Sequence, residues 1–311
     1  MKLSAAISEF LIEQRSRGNS SKTIEYYSSV LRFFQDFAGD VPLPELRLQL
    51  CRDYYVYLSD NDLKSVSVQT YIRGLRAFLS WLFACGYIPE DLCSRFRLPK
   101  ATFKIPDILT DSEILSLYST LSGDSFVRMR DKLIVSLMLD CGLRLNEVVT
   151  LTLDNVHFDD RYIIVECGKG DKQRVVPFGR SLMQLLRQYL DIRLSLIDGG
   201  CRRLLVKLPQ GLFCVEPISE NTVKQMFRKL KLRTGITRLY PHLLRHTFAT
   251  RYLENGGNVM TLQLILGHTS LEMVKRYLHL ATTRIRRDFP KFSPLDNLNN
   301  KKYHPSDEEE W

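Results

Sequence analysis

The alternation of apolar and polar residues divides the chain into two stretches of different texture. From Ser20, "SSKTIEYYSSVLRFFQDFAG" opens on hydroxylated residues, repeats apolar side chains at Ile24, Tyr27, Val30, Leu31 and Phe34, and ends on Gly39. That spacing predicts an amphipathic helix with a Ser/Thr start and a glycine stop. "SVSVQTYIRGLRAFLSWLFACG", from Ser65, repeats the plan with Tyr71, Leu75, Phe78, Leu79 and Leu82 on one face. The opening "MKLSAAISEFLIEQ" carries acids inside its apolar pattern and lacks a leader cleavage pattern, so it reads as the start of a further soluble helix.

From Arg97 the texture changes. "RLPKATFKIPDILTDSEI" is basic, proline-punctuated and poor in periodicity, which marks a linker ending at Thr110, where Thr-Asp-Ser-Glu offers a capping box. Beyond it "RDKLIVSLMLDCG" predicts a buried helix stopped by Gly142, and "LNEVVTLTL" begins another. "RYIIVECGKGDKQRVVPF" alternates as two strands around a Gly-Lys-Gly-Asp turn. Helices return in "SLMQLLRQYLDIRL", "NTVKQMFRKLKLRTG", "PHLLRHTFATRYLENGG" and "MTLQLIL". The expected fold is mainly α with a small antiparallel β-sheet. Its expected parts are a helical domain over 1–98, a linker over 99–107, a second domain over 108–288 and a tail over 289–311.

Charge changes this picture. The chain holds 44 Lys/Arg and 35 Asp/Glu, a net +9, and the excess is uneven. Residues 1–100 carry 13 against 11, or +2; residues 101–306 carry 31 against 20, or +11; the final "DEEEW" returns 4. A basic domain suits a polyanionic partner, and nucleic acid is the first candidate. No apolar run is long enough to cross a bilayer, so a cytoplasmic protein without membrane contact is expected. The seven cysteines form no C-x-x-C pair, which points to reduced thiols, most of them small core residues, and away from a disulfide framework or a Cys-rich zinc site.

Several residues carry potential chemistry. Pro241 opens a helix and places His242 in its first turn, with Arg245 one turn on, so the two can address one anion or form an ordinary polar surface. His242 and His246 stand at metal-ligand spacing, but the zincin pattern needs a glutamate where this chain has Leu243. Arg144 lies in the break after Gly142 with Glu147 three residues on, either a phosphate-binding fork held by a carboxylate or a surface ion pair. Lys169 sits in a hairpin turn rather than a P-loop, because a strand follows it. In "GHTSLEMVKRYLH", Gly267 ends one helix and Thr269 with Glu272 caps the next at about Ser270, so His268 and Tyr277, nine residues apart, can converge. In the first domain, Lys22, Lys64, Arg73 and Arg76 are candidates for holding DNA phosphates at or near helix starts. Tyr240, which precedes Pro241, and Tyr252, on an apolar face with Phe248, read as structural residues.

Arg144, Lys169, His242-x-x-Arg245, "LGH" at His268 and Tyr277, in this order, resemble the tyrosine recombinases, the integrase family that includes the Xer proteins. The resemblance covers nearly the whole chain. It implies a SAM-like core-binding domain followed by a catalytic domain, and DNA cleavage through a 3′-phosphotyrosine. Arg144, Arg245 and His268 would neutralise the phosphate, His242 would accept the Tyr277 proton, and Lys169 would protonate the leaving 5′ oxygen. Glu147 would support Arg144, and no cofactor or metal would be needed. Met273, Val274, Lys275 and Arg276 depart from the small polar residues that many relatives carry before the tyrosine.

The implied partners are double-stranded recombination sites, four copies of the chain on two paired sites, and in some systems a second recombinase or a DNA-bending accessory protein. Phe289, Phe292, Leu295 and Leu298 form an apolar stripe broken by Pro290 and Pro294, which suits a tail exchanged between protomers or folded back on its own domain. Integration or excision of a mobile element is the expected role. Xer-type dimer resolution, a type IB topoisomerase and an inactive DNA-binding accessory protein are the alternatives.

Overall fold

The structure is a computed structural model that describes residues 1–61, 63–96, 107–166, 173–196, 201–208 and 215–267. The linker core, Lys169, the tail and everything from His268 onward, including Tyr277 and the expected cap at Thr269 and Glu272, lie outside the described residues. The chain divides into two compact units, Met1–Lys104 and Ile105–Trp311.

The first unit is built from α1 (Leu3–Ser16), α2 (Ser21–Ala38), α3 (Leu48–Asp60), α4 (Ser65–Ala84) and the short α5 (Leu92–Arg95). Ser20 caps α2 by accepting from the Thr23 N–H, as its Ser/Thr start predicts. The apolar stripes of α2 and α4 meet over Phe10 of α1, whose ring packs edge-on against Tyr27, Phe78 and Trp81 at 5.2–5.4 Å. Edge-to-face rings at this separation add to the area they bury. α2 and α4 approach closely at Gly74, where a Cβ would stand 2.6 Å from Val30 Cγ1. α3 was not expected; its buried Cys51, Tyr54 and Leu58 complete this core.

The second unit starts with α6 (Asp111–Thr120), whose N-terminus carries the expected capping box between Thr110 and Glu113. α7 (Phe126–Asp140) is the buried central helix, packed against α9 (Arg180–Leu196) and α11 (Pro241–Glu254). α8 (Leu145–Thr150), α10 (Glu220–Thr234) and α12 (Val259–Leu266) complete its described helices. The expected hairpin is present as β2 (Tyr162–Val165) and β3 (Arg174–Pro177), antiparallel with Ile163 opposite Val176 and Val165 opposite Arg174. A two-residue strand β1 (Val156–His157) extends it to a sheet ordered β1-β2-β3.

Of the described cysteines, Cys51 and Cys141 are buried in the two cores, Cys93 and Cys201 are half-buried against them, and Cys85 is exposed. Tyr252 packs on Phe248 as expected, and Tyr240, 43% exposed, is the N-cap residue of α11.

Replacing Gly74 with valine forces branched carbons into the α2–α4 contact, and cores resist such overpacking by about 1–3 kcal/mol. Urea unfolding followed by Trp81 emission should show a loss of that order.

Candidate active site

The site is assembled at a corner. α7 ends at Asp140, and Gly142 then adopts φ +62°, a left-handed conformation that favours glycine. Space also requires glycine, since a Cβ there would stand 2.4 Å from Phe248 Cδ1. The buried Leu143 anchors the corner in the core, and the chain enters α8 with Arg144 as its N-cap residue.

Glu147 is the N3 residue of that helix and reaches back to its start. Its Oε2 accepts the Arg144 main-chain N–H at 2.7 Å and its Oε1 accepts Arg144 Nη1 at 2.8 Å. An acid in the first turn also suits the helix dipole. Glu147 is buried, so the pair is not the ordinary surface ion pair that the sequence left open; Arg144 itself keeps 37% of its side chain exposed.

A second arginine, Arg174 of β3, faces the same carboxylate from the other side, with Nη1 2.9 Å from Oε1 and Nη2 2.8 Å from Oε2. Burial alone would raise the Glu147 pKa. The hydrogen bonds and charge of Arg174, then those of Arg144, outweigh it and bring the value down to about 2.

Arg245 comes from α11, whose first turn starts at Pro241 as the sequence predicts. It is buried; its Nη1 donates to the Gly142 carbonyl at 2.5 Å and its Nη2 to the Leu266 carbonyl at 2.7 Å. Its Nη1 lies 4.0 Å from Glu147 Oε2. His242 lies at the surface one turn earlier. Partial burial of its ring, and then the charges of Arg245 and Arg144, lower its pKa from the ordinary 6.5, so the imidazole is predominantly neutral at pH 7.

Arg144, Glu147, His242 and Arg245 are therefore brought together, with three guanidiniums around one carboxylate. That excess of fixed positive charge suits an anion, and the neutral imidazole beside it can accept a proton. Among the described residues no group of three His, Cys, Asp or Glu is placed to hold a metal ion.

Lys169 and His268 lie outside the described residues, although their neighbours are placed: Lys169 belongs to the connection between β2 and β3, and His268 follows Gly267. In the first unit Lys22, Lys64 and Arg73 are exposed, Lys22 in the first turn of α2 and Lys64 at the cap of α4. Arg76 is half-buried and donates through Nη1 to the Phe96 carbonyl, which ties α4 to the end of the unit. Arg174 was missed by sequence reasoning. Its signal was its phase, since it shares an alternating strand face with Val176.

With this geometry, comparison with known proteins is direct. Residues 107–284 match the phage integrase family and residues 2–98 match the phage integrase SAM-like domain. The chain belongs to the phage integrase family, the tyrosine recombinases, whose activity is DNA strand transfer. Tyrosine recombinase XerC of Lacticaseibacillus casei (strain BL23) is 30% identical over 309 residues, which cover 96% of this chain and 100% of that protein. Tyrosine recombinase XerD of Staphylococcus aureus is 29% identical over 286 residues, covering 90% and 95% respectively. The Tn1549 transposon integrase in complex with a circular intermediate DNA shares the fold with a TM-score of 0.74 at 22% identity, over 92% of this chain and 99% of that one. A lambda integrase dimer bound to a COC′ core site gives 0.72 at 20% identity, over 89% and 95%. No helix among the described residues is long and apolar enough to cross a membrane.

The Glu147 pKa yields a pH prediction. Its folded value of about 2 lies below the ordinary 4.5, so its stabilising contribution is present above pH 4.5 and is lost as pH falls from there towards 2. Calorimetric Tm profiles of wild type and Glu147→Gln should converge across that window, with wild type losing more.

Proposed function

We propose that this protein is a site-specific recombinase in which Tyr277 attacks a DNA phosphodiester to give a 3′-phosphotyrosine and a free 5′ hydroxyl. The observation that carries the reading is the convergence of Arg144 and Arg245 near His242, whose pKa burial and the arginine charges lower, with Glu147 buried between the arginines. Phosphodiester attack concentrates negative charge on the non-bridging oxygens, and fixed donors that need no rearrangement stabilise it. Arg144, Arg245 and His268 supply those donors. A phenol with an ordinary pKa of about 10 is a weak nucleophile at neutral pH, so a neighbouring base is needed, and His242 is the proposed base. Lys169 gives the leaving 5′ oxygen its proton. The phosphotyrosine ester conserves the bond energy, so rejoining draws on neither ATP nor metal.

DNA recombination sites are the proposed substrate, and Lys22, Lys64, Arg73 and the unbonded N–H groups of Arg76 are the proposed phosphate contacts of the first domain. Two duplexes need four cleavages and each chain offers one Tyr277, so four protomers act on two paired sites in the cytoplasm. The tail over 289–311 is the proposed link between neighbours. A lambda integrase tetramer bound to a Holliday junction, which shares this fold, supports that stoichiometry. The proposed role is integration or excision of a mobile element. Similarity to XerC over 96% of the chain favours dimer resolution as a second reading. Plasmids carrying paired sites distinguish the two: conversion of dimers to monomers supports resolution, and joining of two unlike sites supports integration.

Tyr277→Phe should abolish covalent adduct on a denaturing gel while DNA binding stays nearly intact, because only the nucleophilic oxygen is removed. An undiminished adduct overturns the assignment.

Lys169→Ala should slow cleavage strongly, yet recover on substrates whose leaving oxygen is replaced by sulfur, since a thiolate leaves without a proton from the enzyme. Equal slowing on both substrates removes Lys169 from the general-acid role.

A further inference from the structure

The inward positions of β3 are Arg174 and Val176. An inward strand position beside a core valine ordinarily takes an apolar side chain. Here it takes an arginine that is only 9% exposed. Its Nε donates to the Ile265 carbonyl at 2.7 Å, and its two Nη atoms span Glu147. Its stem lies against Gly267 (φ +63°), where a Cβ would stand 2.9 Å from Arg174 Cδ.

A carboxylate offers about four lone-pair positions. At Glu147, Oε1 receives Arg144 Nη1 and Arg174 Nη1, and Oε2 receives the Arg144 main-chain N–H and Arg174 Nη2. These four donors fill it. Arg245, at 4.0 Å from Oε2, is within Coulombic reach of the carboxylate but outside hydrogen-bond distance.

We propose that Arg174 is a positioning residue for DNA cleavage: by taking the two acceptor positions of Glu147 that Arg144 leaves open, it keeps the carboxylate from drawing Arg245 away from the scissile phosphate, and through Ile265 and Gly267 it fixes the corner at the end of α12. This rests on the reading of Arg144 and Arg245 as the phosphate-binding pair. Without Arg174, one acceptor position opens on each carboxylate oxygen. A guanidinium already within 4.0 Å then finds a bidentate partner in the protein instead of in the substrate. Arg174 also lies five residues after Lys169, so the bond to Glu147 anchors the strand that follows the proposed general acid.

The test uses the full-length protein and a nicked suicide duplex carrying a site selected from random DNA by the wild-type protein. Arg174→Met should bind this duplex within about threefold of wild type but form the covalent adduct about 100-fold more slowly, the scale of losing an aligned donor to a transition-state anion. Adding Glu147→Gln to that variant should recover about tenfold of the rate, because a neutral amide captures a guanidinium less strongly. A role in stability alone predicts the opposite, a double variant slower than the single one. Where Arg174→Met does not fold, Arg174→Lys replaces it in both experiments; it keeps the charge without the fork, and should cleave about tenfold more slowly at unchanged Tm. Wild-type cleavage by a folded single variant, or a double variant no faster than the single one, overturns the proposal. Absence of adduct with the wild-type protein overturns instead the reading on which it rests.

Discussion

A carboxylate is expensive to bury, and Glu147 sets the terms on which the second unit is built. An ionised group taken out of water must be paired and hydrogen-bonded, or it neutralises. Here the required donors come from the start of α8 and from the first residue of the edge strand β3, and that requirement dictates features that otherwise look unrelated. It explains a polar residue on the inward face of β3. It also fixes the start of α8 against the sheet, so that Arg144 emerges from the corner in one direction only. Removing one partner from such a pair typically costs about 3–5 kcal/mol.

The first unit solves a different problem. It has no buried charge cluster of this kind among its described residues, and its cohesion comes from aromatic side chains. Phe10, Tyr27, Phe78 and Trp81 interlock within a small volume. Tyr54 packs on Phe34 and Phe37 at 5.0 and 5.4 Å. Helices held this way leave their starts at the surface, where Lys22 and Lys64 are exposed. A rigid aromatic interior with basic helix starts is a suitable platform for holding a duplex without reading its bases.

Much of this was legible because local chemistry and tertiary role agree. The stripes of α2 and α4, the cap at Thr110, the glycine stop at Gly142 and the paired strands β2 and β3 each have a signature within a few residues. α3 was illegible for a physical reason. Tyr55, Val56 and Tyr57 are exposed beside the buried Tyr54, so apolar residues surround the helix and blur its period. Arg76 looked like surface charge because its carbonyl partner at Phe96 lies twenty residues away and carries no side-chain signature. The site was legible in its residue types, while the sharing of Glu147 between Arg144 and Arg174 depends on a contact across 27 residues that no local pattern encodes.

Arg245 is aimed by the main chain. Its two Nη donors rest on the carbonyls of Gly142 and Leu266, groups that every amino acid possesses. Its orientation is therefore invisible to a side-chain inventory, and Leu266 contributes to it through its carbonyl while its side chain is buried in the core. Related chains can drift widely in composition around this arginine and still point it the same way. Glycine at 142 is strongly restricted by this arrangement, because backbone angle and lack of space coincide there. A mutational scan would thus find a sharp intolerance at a residue with no functional group at all.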